Sequence, residues 1–124
     1  MKRKILIVDD EEGLTQAIER IFRGEYEVRS ANDGEGAIQM IRELQPELVL
    51  LDWRLKGEIE GQDVLLFSKR EYPKILIYVL TASTHLEKDI RSLGADDCLF
   101  KPCPDLEARI HAVLPPSRIE SENA

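Results

Sequence analysis

Leu48-Val49-Leu50-Leu51-Asp52 decides how this chain must be built. Four large apolar side chains stand in a row with no period-2 alternation, so both faces of the segment call for cover. A central strand of a parallel sheet has that need, because helices pack on each of its sides. The run stops on a carboxylate, and in an open parallel sheet the carboxyl ends of the strands form the ligand-binding edge. A lone Asp at such a place is also ordinary turn chemistry. Its meaning depends on what the other strands bring to the same edge.

Upstream, Ile5-Leu6-Ile7-Val8 is a second short apolar run, rich in β-branched residues, and it ends on Asp9-Asp10. The period then becomes helical, with Leu14, Ala17, Ile18, Ile21 and Phe22 on one face and Gly24 placed to stop it. Tyr26, Val28 and Ser30 alternate with Glu27 and Arg29, as in a half-exposed edge strand. Asn32-Asp33-Gly34 supplies a turn; Ala37, Ile38, Ile41 and Leu44 give a second helical face, closed by Gln45-Pro46. Downstream of Asp52, a loop rich in charge and glycine runs from Arg54 to Gly61. It leads into a third helix carrying Val64, Leu65 and Phe67. Ile75 to Leu80 is the longest apolar run, a fourth strand that ends on Thr81-Ala82-Ser83. Leu86, Ile90 and Leu93 mark a fourth helix before Gly94, and Cys98-Leu99-Phe100 is a fifth strand ending on Lys101-Pro102. Leu106, Ile110, Val113 and Leu114 form the last helical face, with Asp105 as N-cap or first-turn anion. Strand and helix alternate five times through short connections, which specifies one doubly wound α/β domain with a parallel sheet and right-handed crossovers.

Composition narrows the function classes. The 124 residues suffice for one domain with a real core, and 43% hydrophobic with 33% charged residues describes a soluble globular chain. A formal charge of −7 argues against direct nucleic-acid binding, since no basic excess is present to neutralise phosphates. The basic start, Met1-Lys2-Arg3-Lys4, is followed by too short an apolar run for a signal peptide, and no run approaches the roughly 18 residues of a membrane span. Cys98 and Cys103 make no disulfide framework and lack the companions of a zinc site. The expectation is a cytoplasmic protein without a membrane segment.

At the common edge, the first strand brings Asp9 and Asp10, the third Asp52, the fourth Thr81 and the fifth Lys101. Three carboxylates in one cleft repel unless a cation lies between them or a proton is kept. Mg²⁺ suits them, because it binds through one or two carboxylates, keeps waters and accepts phosphate oxygens. A carboxylate is also a nucleophile for a phosphoryl group, giving an aspartyl-phosphate. Transfer then needs positive charge and donors around three equatorial oxygens. Mg²⁺, the Lys101 ammonium and the Thr81 hydroxyl with a nearby backbone N–H supply one each. Taken singly, the acidic run is a good helix start, Thr81 a helix cap and Lys101-Pro102 a surface turn. Taken together, at the ends of four strands, they describe a site.

The series Ile-Leu-Ile-Val-Asp9-Asp10, Leu-Val-Leu-Leu-Asp52, Val-Leu-Thr81-Ala82 and Gly94-Ala95-Asp96-Asp97 leading to Lys101-Pro102 resembles the receiver domain of bacterial response regulators, the phosphoacceptor module of two-component signalling. The resemblance runs from residue 3 to about 114, nearly the whole chain. It implies a flavodoxin-like fold of five parallel strands in the order 2-1-3-4-5, occupying residues 1–114, with 115–124 as a polar tail or linker stub. It implies that Asp52 accepts phosphate from a sensor histidine kinase or histidine phosphotransfer protein, and that the module is not an enzyme beyond its own phosphorylation and dephosphorylation. Asp10, Asp52 and the backbone carbonyl of Arg54 would hold Mg²⁺, with Asp9 helping through a bound water. Lys101 would contact the phosphoryl group ahead of a cis peptide to Pro102. Thr81 would move to the phosphate and report it to a downstream protein partner or output domain.

The chain departs from that pattern in two places. Cys98 and Cys103 stand where the family usually has aromatic residues, and a cysteine is too small to swing between buried and exposed positions as the family's ring does. Leu55-Lys56 replaces Met-Pro after the acceptor, and Gly61 comes one residue late, with Arg54 and Lys56 adding positive charge. Three other readings stand beside this one. One is the receiver portion of a longer regulator with a DNA-binding or enzymatic output, for which Pro115 to Ala124 would begin the linker. A flavodoxin-like cofactor binder would want a Ser/Thr/Gly-rich loop where Asp9-Asp10-Glu11-Glu12 stands. A haloacid-dehalogenase-like phosphatase would want an Asp where Arg54 stands.

Overall fold

In the computed structural model, which describes residues 1–117, Leu48–Leu51 is the central strand of a five-stranded parallel sheet. The elements follow in order as β1 (Arg3–Val8), α1 (Glu12–Phe22), β2 (Tyr26–Ala31), α2 (Gly34–Leu44), β3 (Leu48–Leu51), α3 (Gly61–Glu71) and β4 (Leu76–Thr81). After a 3₁₀ turn at Thr84–Leu86 come α4 (Glu87–Ser92), β5 (Asp97–Phe100) and α5 (Leu106–Val113). The strand order is β2-β1-β3-β4-β5, every pairing is parallel, and the chain reverses its direction of travel between β1 and β3. In doubly wound sheets that switch point opens the crevice at the carboxyl ends.

The unalternating run of β3 is explained by its two faces. Leu48 and Leu50 join a core layer with Ile18, Phe22, Leu106 and Ile110 from α1 and α5. Val49 and Leu51 join the opposite layer with Ala37, Ile41, Val64 and Ile90 from α2, α3 and α4. All four are 2% exposed or less, so truncating one to Ala would cost about 2–5 kcal/mol. β1 divides in the same way, Ile5 and Ile7 to one layer, Leu6 and Val8 to the other.

Helix α1 is turned from the face its apolar residues suggest. Thr15, Ile18 and Phe22 are buried, whereas Ala17 and Ile21 face outward, Ile21 at 44% exposure. The side groove they border runs past Leu14 to Lys101, Pro102 and Pro104. Asp105 does stand at the N-cap of α5, but its carboxylate accepts from Arg109 at 2.9 Å instead of capping the helix. Val113, expected in the buried face of α5, is 38% exposed. Most of the expected tail, residues 118–124, lies outside the described residues.

Candidate functional site

Register brings the acidic residues together. Val8 pairs with Leu51, and the Asp52 N–H donates to the Val8 carbonyl at 2.8 Å, so Asp9 and Asp52 emerge side by side at the switch point. Carboxylate oxygens of Asp9, Asp10 and Asp52 all lie within 4.8 Å of one another. Asp9 is the most buried of the three, 4% exposed, and both of its oxygens are engaged: Oδ1 accepts from the Glu11 N–H at 2.9 Å and Oδ2 from Lys101 Nζ at 2.9 Å. No protein donor reaches the Asp10 carboxylate among the described residues. Lys101 Nζ also stands 3.7 Å from Asp52 Oδ1.

The electrostatics follow from this crowding. Burial, then the neighbouring Asp9 charge, push the Asp52 carboxyl up to about 6; Lys101 and a hydrogen bond from the Arg54 N–H oppose the rise without cancelling it. Burial pulls Lys101 down, but the Asp9 hydrogen bond and the Asp52, Asp9 and Glu11 charges outweigh it and raise the ammonium above its ordinary value. One ammonium thus reaches two of the three carboxylates, and the residual repulsion is what a divalent cation relieves. The donor set is oxygen only, which suits a hard ion such as Mg²⁺. Asp10 and Asp52 have oxygens to offer, and the engagement of both Asp9 oxygens fits a role for Asp9 one water removed.

Thr81 closes β4, is 2% exposed, and accepts from the Ser83 N–H through Oγ1 at 3.1 Å. Its carbonyl accepts from the Lys101 N–H at 2.9 Å, tying the ends of β4 and β5 together. The Lys101-Pro102 peptide is cis. Arg54 is exposed in the loop after β3, and Trp53 is half-buried beside Asp52. Cys98 is buried among the side chains of the α2–α4 layer and Cys103 is half-buried against α5; both are free thiols raised by burial.

One residue of this loop escaped the sequence reading. Glu60 is the N-cap of α3, its N–H donates to Asp63 Oδ2 at 2.8 Å, and its Oε1 accepts from the Leu55 N–H at 3.2 Å. The signal was present as a carboxylate three residues from Asp63, the spacing of an N-terminal cap, just ahead of the apolar run. A second group, Glu25, Glu107 and His111, also brings three ligand atoms within 4.8 Å of one another, at the surface between the α1–β2 turn and α5.

A doubly wound parallel sheet with three carboxylates and a lysine at its switch point defines the class: the chain belongs to the response regulator receiver domain family, whose model matches residues 5–113. It is 37% identical over 119 positions to the DNA-binding response regulator MtrA of Mycolicibacterium paratuberculosis and to that of Mycobacterium leprae, covering 92% of this chain and 52% of each relative. The chain therefore spans about half the length of these curated relatives. Among solved structures, it is similar to a CheY-like response regulator receiver domain protein from Methanospirillum hungatei JF-1, with a TM-score of 0.84, 26% identity and complete coverage of both chains. It is also similar to the response regulator TrrA of Thermotoga maritima, solved in complex with Mg²⁺-BeF, with a TM-score of 0.82, 29% identity and coverage of 90% of this chain and 99% of that one. The flavodoxin-like five-stranded fold and the receiver assignment stand on these likenesses together with the strand order. The receiver is a signalling domain. No helix among the described residues is long and apolar enough to cross a membrane.

Proposed function

We propose that Asp52 is the phosphoacceptor of a two-component response regulator, taking a phosphoryl group from a phosphohistidine on a sensor histidine kinase or a histidine phosphotransfer protein. An Asp52 carboxylate oxygen forms the new O–P bond while the P–N bond breaks, and the departing imidazole keeps the electron pair and takes up a proton. The observation that carries this is the group of Asp9, Asp10 and Asp52 oxygens within 4.8 Å, at a parallel-sheet switch point, with Lys101 bridging two of them. Asp10, Asp52 and the Arg54 carbonyl would hold Mg²⁺, and Asp9 would act through a bound water. When bound, the ion would neutralise the carboxylates and one phosphoryl oxygen.

The protein's own groups then divide the remaining work. Lys101, held charged by Asp9, supplies a cation to a second phosphoryl oxygen. Thr81 would exchange its Ser83 N–H partner for a third, turning its hydroxyl from acceptor to donor. That exchange is the conformational signal passed to a downstream protein or output domain. Residues 1–114 act as the receiver and residues 115–124 as a tail or linker. Domain chemistry of this kind runs in the cytoplasm.

Trp53 adjoins Asp52 and tests the assignment. Its fluorescence is expected to change on adding Mg²⁺ and again with a small phosphodonor, and Asp52→Asn is expected to abolish the second change. A phosphodonor response of ordinary size in Asp52→Asn would overturn the assignment.

The MtrA relatives, DNA-binding regulators of which this chain spans about half, favour a second reading, a receiver that precedes an output domain. Sequence following Ala124 in the source gene decides it. The acidic charge of −7 leaves any DNA contact to such an output rather than to the receiver.

A further inference from the structure

The loop between β3 and α3 is tied at both of its ends. The Gly61 N–H donates to the Trp53 carbonyl at 3.2 Å, and a Cβ at Gly61 would stand 2.6 Å from the Asp52 and Trp53 carbonyl oxygens. Helix α3 therefore starts hard against the end of the acceptor strand. From that start Glu60 reaches back into the loop, and its Oε1 accepts from the Leu55 N–H at 3.2 Å. Leu55 is itself anchored, 6% exposed in the core layer of α2, α3 and α4.

The Leu55 N–H and the Arg54 carbonyl belong to one peptide unit. In a planar trans peptide the two groups point in opposite directions, so a partner that fixes the N–H also fixes the carbonyl. On the other side of Arg54, its own N–H favours the charged Asp52 carboxylate and works against the upward push of burial. The Arg54 carbonyl accepts from no protein donor among the described residues. Two residues past Asp52 in the chain, that carbonyl keeps its lone pairs free for a cation held by the acidic group. An anionic acceptor on the N–H also polarises the amide and places more negative charge on its oxygen.

We propose that Glu60 is a positioning residue for the cation site: its carboxylate, held on the Leu55 N–H, orients the Arg54–Leu55 peptide so that the Arg54 carbonyl is presented to a divalent ion alongside Asp10 and Asp52. This rests on the reading of the acidic cluster as a Mg²⁺ site. Glu60 touches neither the ion nor the phosphoryl group. The competing role is a plain helix cap, in which Glu60 would stabilise α3 and leave the ion indifferent.

Titration calorimetry with Mg²⁺ on the metal-stripped chain, beside thermal melts in EDTA, separates the two. Glu60→Ala is expected to weaken Mg²⁺ binding about 10-fold, as removal of an outer partner of a metal ligand does. Glu60→Gln keeps an acceptor oxygen on the Leu55 N–H and is expected to restore most of the affinity. Asp63→Ala removes the bond that the Glu60 N–H donates to Asp63 Oδ2 in the capping box, and is expected to lower the melting temperature while leaving the Mg²⁺ affinity of the wild type. Wild-type affinity in Glu60→Ala overturns the proposal, and so does an equal weakening in Asp63→Ala. Absence of saturable Mg²⁺ binding in the wild type overturns the site itself, a result distinct from either.

Discussion

Two groups in this molecule offer three metal-competent ligand atoms within 4.8 Å of one another, and they differ in almost everything else. Asp9, Asp10 and Asp52 meet because sheet register leaves no alternative, at the ends of two adjacent buried strands. Glu25, Glu107 and His111 meet on the surface, where His111 Nε2 lies 2.9 Å from Glu25 Oε1 and its ring stacks on Tyr26. The first group gathers negative charge where burial, and then the Asp9 charge, raise the Asp52 carboxyl. In the second, Glu25 and Glu107 are open to solvent, and His111 and Glu25 partner each other. Proximity alone therefore does not make a site; unrelieved charge under restricted solvation does.

The largest test of that contrast is Lys101→Met. It leaves Asp9, 4% exposed, without its ammonium, and breaking a buried pair from one side is far costlier than losing a surface pair. Urea melts in EDTA at neutral pH are expected to show a loss of about 3 kcal/mol. The double variant Lys101→Met with Asp9→Asn is expected to recover much of it, since the uncompensated charge is then absent. A single-variant loss within 0.5 kcal/mol, roughly the noise of a surface substitution, would put the strand-end group on a level with the α5 group.

Asp52→Asn comes next, and its effect is a gain. Asp52 takes up its proton near 6 in the folded state against an ordinary value of 3.8. The folded chain holds the extra proton between those values, so this group lowers stability as pH rises through the window, and the penalty is complete above it. Asparagine carries no such penalty. In EDTA at pH 7.5 the variant is expected to be about 1–3 kcal/mol more stable than wild type, with the difference vanishing below pH 4. Mg²⁺ is expected to reverse the order, because only the wild type gains a ligand. A variant no more stable than wild type at pH 7.5 without metal would mean that the three carboxylates do not strain the fold.

What the sequence disclosed and withheld follows the same physics. Runs such as Leu48–Leu51 announce a strand covered on two faces, and residue order alone, with Asp9, Asp10, Asp52, Thr81 and Lys101 at strand ends, locates the acidic edge. Rotation of a helix was less legible. In α1 the buried Thr15 reads as polar and the exposed Ala17 and Ile21 read as core, because the deciding term is where α5 and the β5–α5 loop leave room. Partner choice was less legible still. Lys101 sits 2.9 Å from Asp9 but 3.7 Å from Asp52, and Glu60 bonds the Leu55 N–H; both depend on loop paths that residue order does not encode. The aromatic positions taken by Cys98 and Cys103 were plain in the sequence, and the structure fills Cys98's place with tight packing rather than a mobile ring.

The smallest expected effect sharpens the contrast from the other side. Glu25 and His111 are 48% and 34% exposed as side chains, so their bond trades one hydrated pair for another and salt screens what remains. Glu25→Gln keeps a side-chain oxygen that can face His111 and leaves the ring stacked on Tyr26 and edge-on to Phe22. It is expected to change unfolding free energy by less than about 1 kcal/mol at low salt, and by less still in 0.5 M salt, a condition chosen to shorten the screening length to roughly half its physiological value. Mg²⁺ titrations of this variant should match wild type. A Mg²⁺ affinity that fell with Glu25→Gln would mean the exposed group binds the ion too, and burial would then no longer distinguish the acidic strand ends from the rest of this acidic surface.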